Sequence, residues 1–393
     1  MGGGGGKLDL GGLRAAEVIS FDWGGASYPT DSAAIAQVLA DSFTADRQDS
    51  RNRDDGDVEA VLTGDDVFEA AYSVPYLAHA TMETQTAAAW LRDGQLKIWA
   101  GHQIPTQAAV EAAAITGLAV DRVKVEVQIM GGGFGRRLEM DVIRQIATLV
   151  MAMEGVPVLL TWSREEDMTH DAYRPAAMAR VRARVAGGVM VGFDLANCSS
   201  GVIQSQLGRL GYAVPGPDSS IVQGAWEQPY TFPNYRVTGY RAPAMLPAGS
   251  WRSVGSSQNT FFHETAVDEL AHLAGVDPVE FRVAHLTHEP SRKVLQAVAE
   301  MSGWGHVPAG RARGVAFCVS FGVCSAQVIE VEQGVDGLRM TGARAAVDVG
   351  VALDPRDHRG AGHGGNGVWL VGGGSGRDYA GRGAGAAGDV LGL

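Results

Sequence analysis

Val123-Lys124-Val125-Glu126-Val127-Gln128-Ile129-Met130-Gly131-Gly132-Gly133-Phe134-Gly135-Arg136-Arg137 is the stretch on which the reading of this chain turns. Val123, Val125, Val127 and Ile129 alternate with polar residues, the period of a half-buried strand. Beyond the glycines, Met140, Ile143, Ile146, Ala147, Val150 and Met151 recur at helical spacing, with Gly155 placed as the residue just past the helix end. A glycine cluster ahead of a helix lets backbone approach a ligand closely and aims N–H groups at anionic oxygens. Two readings stand side by side at this point: a cradle for a phosphate or an oxo-anion, or a tight turn and nothing more. The dinucleotide pattern G-x-G-x-x-G fails because Arg136 stands at the third glycine, and the P-loop pattern fails because no G-K-[ST] follows.

Composition narrows the class. A chain of 393 residues has room for two or three domains with sizeable cores. Its hydrophobic content of 46% and mean hydropathy of −0.01 are those of a globular protein. A net charge of −12 argues against nucleic acid or an anionic membrane surface as the main partner. There is no apolar run of about 18 residues, so no membrane span is expected, and the start MGGGGGKLDLGG has no apolar core of a secretory signal. Three cysteines, Cys198, Cys318 and Cys324, form no C-x-x-C pair, so this chain alone cannot build a four-thiolate iron–sulfur site. His285 and His288 lie three apart without a carboxylate in a matching pattern, which weighs against a metal site there.

Along the chain, Ser32 to Phe43 reads as a short helix and Asp46 to Asp57 as a charged linker. Val67 to Val74 reads as a strand ending at Pro75, and Thr86 to Trp90 with Leu96 to Ala100 as a hairpin around Asp93-Gly94. Pro105 to Thr116 is a helix closed by Gly117. The glycine loop and its helix follow, then a strand from Val156 to Trp162. His263 to Leu273 is a helix closed by Gly275, and Arg313 to Glu332 and Arg339 to Val351 read as two strands. Hairpins and helices without regular βαβ alternation predict an α+β fold.

Four motifs occur in order: Tyr76-Leu77-Ala78-His79-Ala80-Thr81-Met82-Glu83, Gly101-His102-Gln103-Ile104-Pro105, the glycine loop, and Ser250-Trp251-Arg252-Ser253-Val254-Gly255, the last followed by Glu264 and Asp268-Glu269-Leu270-Ala271. Over residues 66 to 356 this set resembles the molybdopterin-binding large subunit of the xanthine dehydrogenase and aldehyde oxidase superfamily, in the branch of the isoquinoline 1-oxidoreductase beta subunit. The resemblance implies an incomplete molybdopterin-binding domain of that type. It also implies a molybdenum hydroxylase acting on an N-heteroaromatic compound or an aldehyde, with water as oxygen source. The implied cofactor is a molybdenum–pterin, most simply molybdopterin cytosine dinucleotide, and the implied partner is a small [2Fe-2S] subunit that takes the electrons.

By the same resemblance, Gln103 would hydrogen-bond an oxygen ligand on molybdenum. Gly132, Gly133, Phe134 and Gly135 would present backbone to the pterin and the metal's oxygens, and Arg252 would stand at the cofactor and substrate end. Read from the residues alone, Gln103 fits equally a position near the cap of the helix after Pro105, and Arg252 a partner for Glu264 or Asp268. His102 is placed to line the pocket, and His79 and Glu83 are expected to be structural. Relatives that act on purines carry Lys-Glu after the loop; Arg136-Arg137 here speaks against a purine substrate. The family's catalytic glutamate, in a G-x-G-E-like motif further along, has no counterpart in this chain, so no catalytic residue is assigned and the chain alone is expected to be inactive. A non-catalytic protein that binds an anionic ligand is the alternative.

The resemblance divides the chain into a remnant of an upstream region and linker (1–65), a first molybdopterin-binding domain (66–290), the start of a second (291–356) and a glycine- and alanine-rich tail (357–393). The tail is expected to be disordered and the product of a shifted reading frame. Codons allowed for Asp-His-Arg-Gly-Ala-Gly (357–362), read one base later, can spell T-I-E-A-Q, and those for Asn366 to Gly373 can spell T-V-F-G-L-S-A-A. Early stop codons in that frame of the coding DNA would sink this expectation.

Overall fold

The computed structural model describes residues 18–20, 24–26, 28–335 and 337–353; the expected tail at 357–393 lies outside them. The chain opens with α1 (Ser32–Asp41), β1 (Gln48–Asp55), α2 (Val58–Val61) and β2 (Phe68–Val74). A second group follows: β3 (Thr86–Arg92), β4 (Gln95–Ala100), α3 (Pro105–Thr116), β5 (Val123–Val127), α4 (Asp141–Ala152), β6 (Val158–Thr161) and α5 (Arg164–Thr169). The chain then returns to the first group with β7 (Ala177–Ala186), β8 (Val189–Ser199), α6 (Val202–Arg209) and β9 (Tyr235–Arg241). It continues through α7 (Gly255–Ala274), α8 (Pro278–Ala284) and α9 (Glu289–Ser302) into β10 (Arg311–Ser320), β11 (Val323–Gly334) and β12 (Gly337–Asp348). The architecture is the expected mixture of helix and sheet.

Among the described residues three sheets result, ordered β1-β9-β8-β7-β2, β5-β4-β3-β6 and β10-β11-β12. Of these described strands, β4/β5 and β8/β9 pair in parallel and the rest antiparallel. In the five-stranded sheet, Ala177, Ala179, Val181 and Ala183 of β7, Phe193 and Leu195 of β8 and Tyr235 and Val237 of β9 are all buried. They share one core with Phe262, Ala266, Val267 and Leu270 of α7. Alanines at alternate positions of β7 keep that face shallow, so the 20-residue helix α7 lies close against it. The same core takes in Val294, Leu295 and Val298 of α9 and Val315, Phe317, Ala326 and Val328 of β10 and β11, residues on both sides of position 290. A second core joins the four-stranded sheet to α3 and α4 through Ala87, Ala89, Leu96, Ile98, Ala108, Ala112, Ile143, Ile146 and Val150. Among the described residues no helix is long and apolar enough to cross a membrane.

Several sequence expectations need correction. Asp46 to Asp57 is no linker, since Gln48–Asp55 pairs along β9 as an edge strand. An edge strand needs no apolar alternation, and its polar side chains find partners of their own. Arg53 donates to Gln228 O (2.7 Å) and Tyr230 O (2.9 Å) and lies 3.9 Å over the Tyr235 ring. Arg313 to Glu332 is a hairpin, because Phe321 (φ 51°) and Gly322 (φ 78°) both take the left-handed conformation of a tight turn. The strand before the glycine loop stops at Val127, and Ile129 is fully exposed. Helix α4 is capped at Met153, ahead of Gly155, whose N–H crosses instead to Leu91 O. Helix α7 starts at Gly255, eight residues before the apolar period begins, on a polar turn whose Ser256, Gln258 and Asn259 are buried.

Candidate functional site

The site lies where segments belonging to different cores meet. Residues 75–85 carry the chain from β2 in the five-stranded sheet to β3 in the four-stranded sheet, the glycine loop joins β5 to α4, and 242–254 joins β9 to α7. Glu83 N–H donates to Gly131 O (3.0 Å), and Gly131 N–H returns a bond to the Glu83 carboxylate (2.8 Å). Gly135 faces the third segment so closely that a Cβ there would overlap the Ser250 carbonyl oxygen, and its φ of 106° is one that side-chain-bearing residues rarely adopt. Among the described residues, six other than glycine have positive φ. Asp93 and Phe321 sit in hairpin turns, while Ala80, Phe134, Ser253 and Val254 all belong to the three converging segments. Strain concentrated in this way marks backbone held by its surroundings in an unfavourable shape.

Buried cations hold the loop from beneath. Arg137, 1% exposed, donates to Glu83 O (2.9 Å), the Glu83 carboxylate (3.0 Å), Thr84 O (3.1 Å) and Gln85 Oε1 (3.1 Å). Burial pulls its guanidinium below the usual arginine range, against the opposing charge of Glu83. Arg136, also 1% exposed, bonds Asp141 (2.8 Å), pairs with Asp171 (3.1 Å) and Asp167 (3.4 Å), and lies 5.4 Å from the Trp162 ring centroid. Burial would lower Arg136, but the charges of Asp141, Asp171 and Asp167 outweigh it. The Asp167 carboxyl is itself pushed up by burial. Asp171 also receives His79, at both its ring Nδ1 (2.9 Å) and its backbone N–H (2.6 Å). Asp141 and Asp171 line a cleft of about 200 Å³ with Glu139, Arg144, His170 and Arg209.

The structure brings Gln103 against the glycine loop. Its backbone N–H donates to Arg137 O (3.0 Å), and its side-chain oxygen accepts the Gly135 N–H (3.1 Å), leaving the amide NH₂ as its outward donor. Gln103 does not cap α3. The N-cap of that helix is Ile104, whose N–H is taken by His102 Nδ1 (3.2 Å), so His102 Nε2 is assigned the proton that it gives to Glu139 O (3.3 Å). His102 is 3% exposed, its ring held neutral by burial, and does not line the pocket as a free donor. Among the described residues, the N–H groups of Gly132, Gly133 and Phe134 meet no protein acceptor. Arg252, half-buried two residues from Ser250, also has no hydrogen-bond or ion-pair partner among the described residues. Glu264 and Asp268, offered by the sequence as its partners, are taken by Arg282 (2.9 Å to each). The described residues contain no group of histidines, cysteines and carboxylates fit to hold a metal ion, and the three cysteines are free. Sequence reasoning missed Asp171 and the burial of both arginines. Two adjacent cations after a glycine loop were the available signal, since buried arginines demand carboxylates.

Residues 43–286 match the family described as the molybdopterin cofactor-binding domain. The isoquinoline 1-oxidoreductase subunit beta of Brevundimonas diminuta is 32% identical over 313 residues, 76% of this chain and 39% of that protein. The molybdenum-binding subunit of an aldehyde oxidoreductase from Escherichia coli is 28% identical over 68% of this chain and 38% of its own length. Among solved structures, the quinoline 2-oxidoreductase of Pseudomonas putida 86 aligns with a TM-score of 0.60 at 18% identity, over 81% of this chain and 43% of that one. The aldehyde oxidoreductase of Desulfovibrio gigas aligns at 0.59 and 19%, over 84% and 39%. The chain thus spans about two fifths of the length of these relatives.

Proposed function

The chain belongs to the molybdopterin cofactor-binding domain family, and from that premise we propose that its glycine loop, Gln103 and Arg252 form one wall of a molybdenum–pterin site in a hydroxylase. The substrate class we propose is an N-heteroaromatic compound or an aldehyde. The observation that carries the reading is the row of three unengaged N–H groups on Gly132, Gly133 and Phe134 beside the outward amide of Gln103. Donors without protein acceptors on a rigidly held loop suit the oxygens of a pterin and its metal. Glycine suits this wall as well, since a Cβ at Gly133 would stand 2.9 Å from Gln103 Oε1.

When bound, the cofactor supplies a molybdenum centre that accepts two electrons from a carbon–hydrogen bond while water provides the new oxygen. The chain's own residues bind and orient. Gln103 turns its NH₂ outward because Gly135 holds its oxygen, and Arg252 offers a positive charge at the substrate end. The carboxylates around the loop are already committed: Glu83 to Arg137, and Asp141, Asp167 and Asp171 to Arg136. The base that takes a proton from the attacking water is therefore proposed to come from protein outside the described residues. The pterin is proposed to carry a cytosine nucleotide, and the electrons to leave through a small [2Fe-2S] partner.

The test is to express the chain in a cofactor-producing host and to measure its molybdenum and its oxidised pterin. Stoichiometric loading that is lost in Gly133→Val supports the reading, while wild-type chain free of both overturns it. Turnover of quinoline-type compounds and aldehydes by the loaded chain alone is expected to be absent; robust turnover would refute the assignment of the base.

A further inference from the structure

We infer that Glu83 is the positioning residue of the cradle: one oxygen of its carboxylate closes the glycine loop across its mouth and so sets which N–H groups the loop presents. Oε2 accepts the N–H of Gly131 at the loop's entry (2.8 Å) and Nη2 of Arg137 at its exit (3.0 Å). The backbone of Glu83 repeats the pair of contacts. Its N–H donates to Gly131 O (3.0 Å), and its carbonyl accepts from Arg137 Nη2 (2.9 Å). Both ends of the loop are thus held on a single residue of another segment. The fit is close as well as polar, since a Cβ on Gly131 would stand 2.6 Å from Glu83 Cβ. Thr81 Oγ1 donates to the Glu83 carbonyl (2.7 Å) and fixes the turn from its other side.

The loop needs such a pin. Gly132 (φ 103°), Phe134 (φ 53°) and Gly135 (φ 106°) all lie in the left-handed region, and a residue with a side chain stays there only where its surroundings hold it. The N–H groups divide accordingly. Gly131 is spent on Glu83, Gly135 on Gln103 Oε1 (3.1 Å) and Arg136 on Gly133 O (2.8 Å). Those of Gly132, Gly133 and Phe134 lie between the two anchors and meet no protein acceptor among the described residues. Without the Glu83 carboxylate, Gly131 would become a fourth unengaged donor. Arg137, 1% exposed, would lose its ion-pair partner among the described residues, and the row of donors would lose its fixed spacing. Glu83 acts through Gly131 and Arg137, not by touching the ligand.

The inference rests on the cofactor reading, but its first test does not need the ligand. Amide exchange of the full chain, followed by NMR, should show Gly131 protected and Gly132, Gly133 and Phe134 exchanging fast. In Glu83→Ala, Gly131 should lose its protection and the resonances of residues 132–134 should broaden or double; a loop unchanged in both respects overturns the inference. The second test titrates binding of molybdopterin. Glu83→Ala should weaken it by roughly tenfold or more, the loss of a charged hydrogen bond. Glu83→Gln keeps an acceptor for Gly131 but gives up the charge facing Arg137. Its affinity should fall between the two, and it carries the test where Glu83→Ala does not fold. Val150→Ala, a truncation buried in the second core, is the control: it should lower the urea midpoint and leave the affinity unchanged. Wild-type affinity in both Glu83 variants, or an equal loss in Val150→Ala, would mean that Glu83 only supports the fold and overturns the inference. Wild-type chain that binds no molybdopterin at all defeats the cofactor reading instead, and the exchange pattern still decides Glu83.

Discussion

At single positions the site stores strain and close contact. Gly135→Ala would place a methyl group on the Ser250 carbonyl at a φ of 106°. We expect it to cost on the order of 3 kcal/mol, read as a lower urea midpoint, because neither backbone can give way cheaply. Val254 is the opposite case. It is a β-branched residue at φ 50° and ψ −124° with no bulky role that its conformation explains. Val254→Gly should remove strain worth about 1–3 kcal/mol and return part of it as unfolded-chain entropy, about 0.5–1 kcal/mol. A net rise in stability near 1 kcal/mol is expected; a fall would show that the valine side chain contributes packing that outweighs the strain. The glycines were legible in the sequence because only glycine tolerates such positions. The strain at Val254 was not, since it is imposed by what packs around the turn and leaves no trace in the residue itself.

Among the elements, α7 is pinned by a buried polar network. Glu264 accepts from Tyr230 OH (2.8 Å), Arg282 Nε (2.9 Å) and the Phe317 N–H (2.9 Å), so one carboxylate ties α7 to α8, to β10 and to the segment before β9. Burial alone would raise this carboxyl, but the charge and hydrogen bond of Arg282, with His263 3.6 Å away, hold it at about 2, below the ordinary 4.5. A carboxyl lowered in the folded state stabilises it fully above 4.5, and that contribution is lost as pH falls toward 2. Glu264→Gln leaves Arg282 buried without its full charge partner and should cost roughly 3–5 kcal/mol. It should also flatten the acid limb of a stability-versus-pH curve measured by urea titration; an unchanged acid limb would assign acid unfolding to other groups. Elements with apolar periodicity, such as α3, α4 and the β3–β4 hairpin, were readable from the sequence. The first turns of α7 and the edge strand β1 were not, because their polar side chains are satisfied by residues that are distant in the chain: Asn259 by Ile221 O and Gln223 O, and Arg53 by Gln228 O and Tyr230 O.

Across the whole molecule, the two larger of three hydrophobic cores among the described residues are separate clusters whose elements meet at the candidate site. Ion pairs cross the joint beside an apolar contact of Leu210 with the second core. Arg209 of α6 grips Glu139, just ahead of α4, with two bonds (2.9 and 2.7 Å) and reaches Ala248 O (2.9 Å), while Arg144 of α4 reaches back to Arg209 O (2.9 Å). A ligand seated on the glycine loop and against Arg252 would touch segments anchored in both cores, which is where binding sites commonly lie. It follows that the free chain should exchange its amides in two cooperative units, with the four-stranded sheet, α3 and α4 opening apart from the five-stranded sheet and α7. Arg209→Ala removes a charge-assisted, bidentate clasp at a partly exposed position, so its effect on global stability should stay near 1 kcal/mol. Its effect on coupling should be larger in kind: exchange in α3 and α4 should quicken while exchange in α7 holds. Uniform acceleration across both cores would mean that the molecule opens as one unit, and the seam would then be no more than a topological feature. If the two units do part, the motifs that made the site readable lie one on each side, a glycine loop in one unit and an arginine turn in the other. The buried charges beneath the loop were hidden because most of their partners are distant in the chain: Arg137 takes Glu83, and Arg136 takes Asp167 and Asp171.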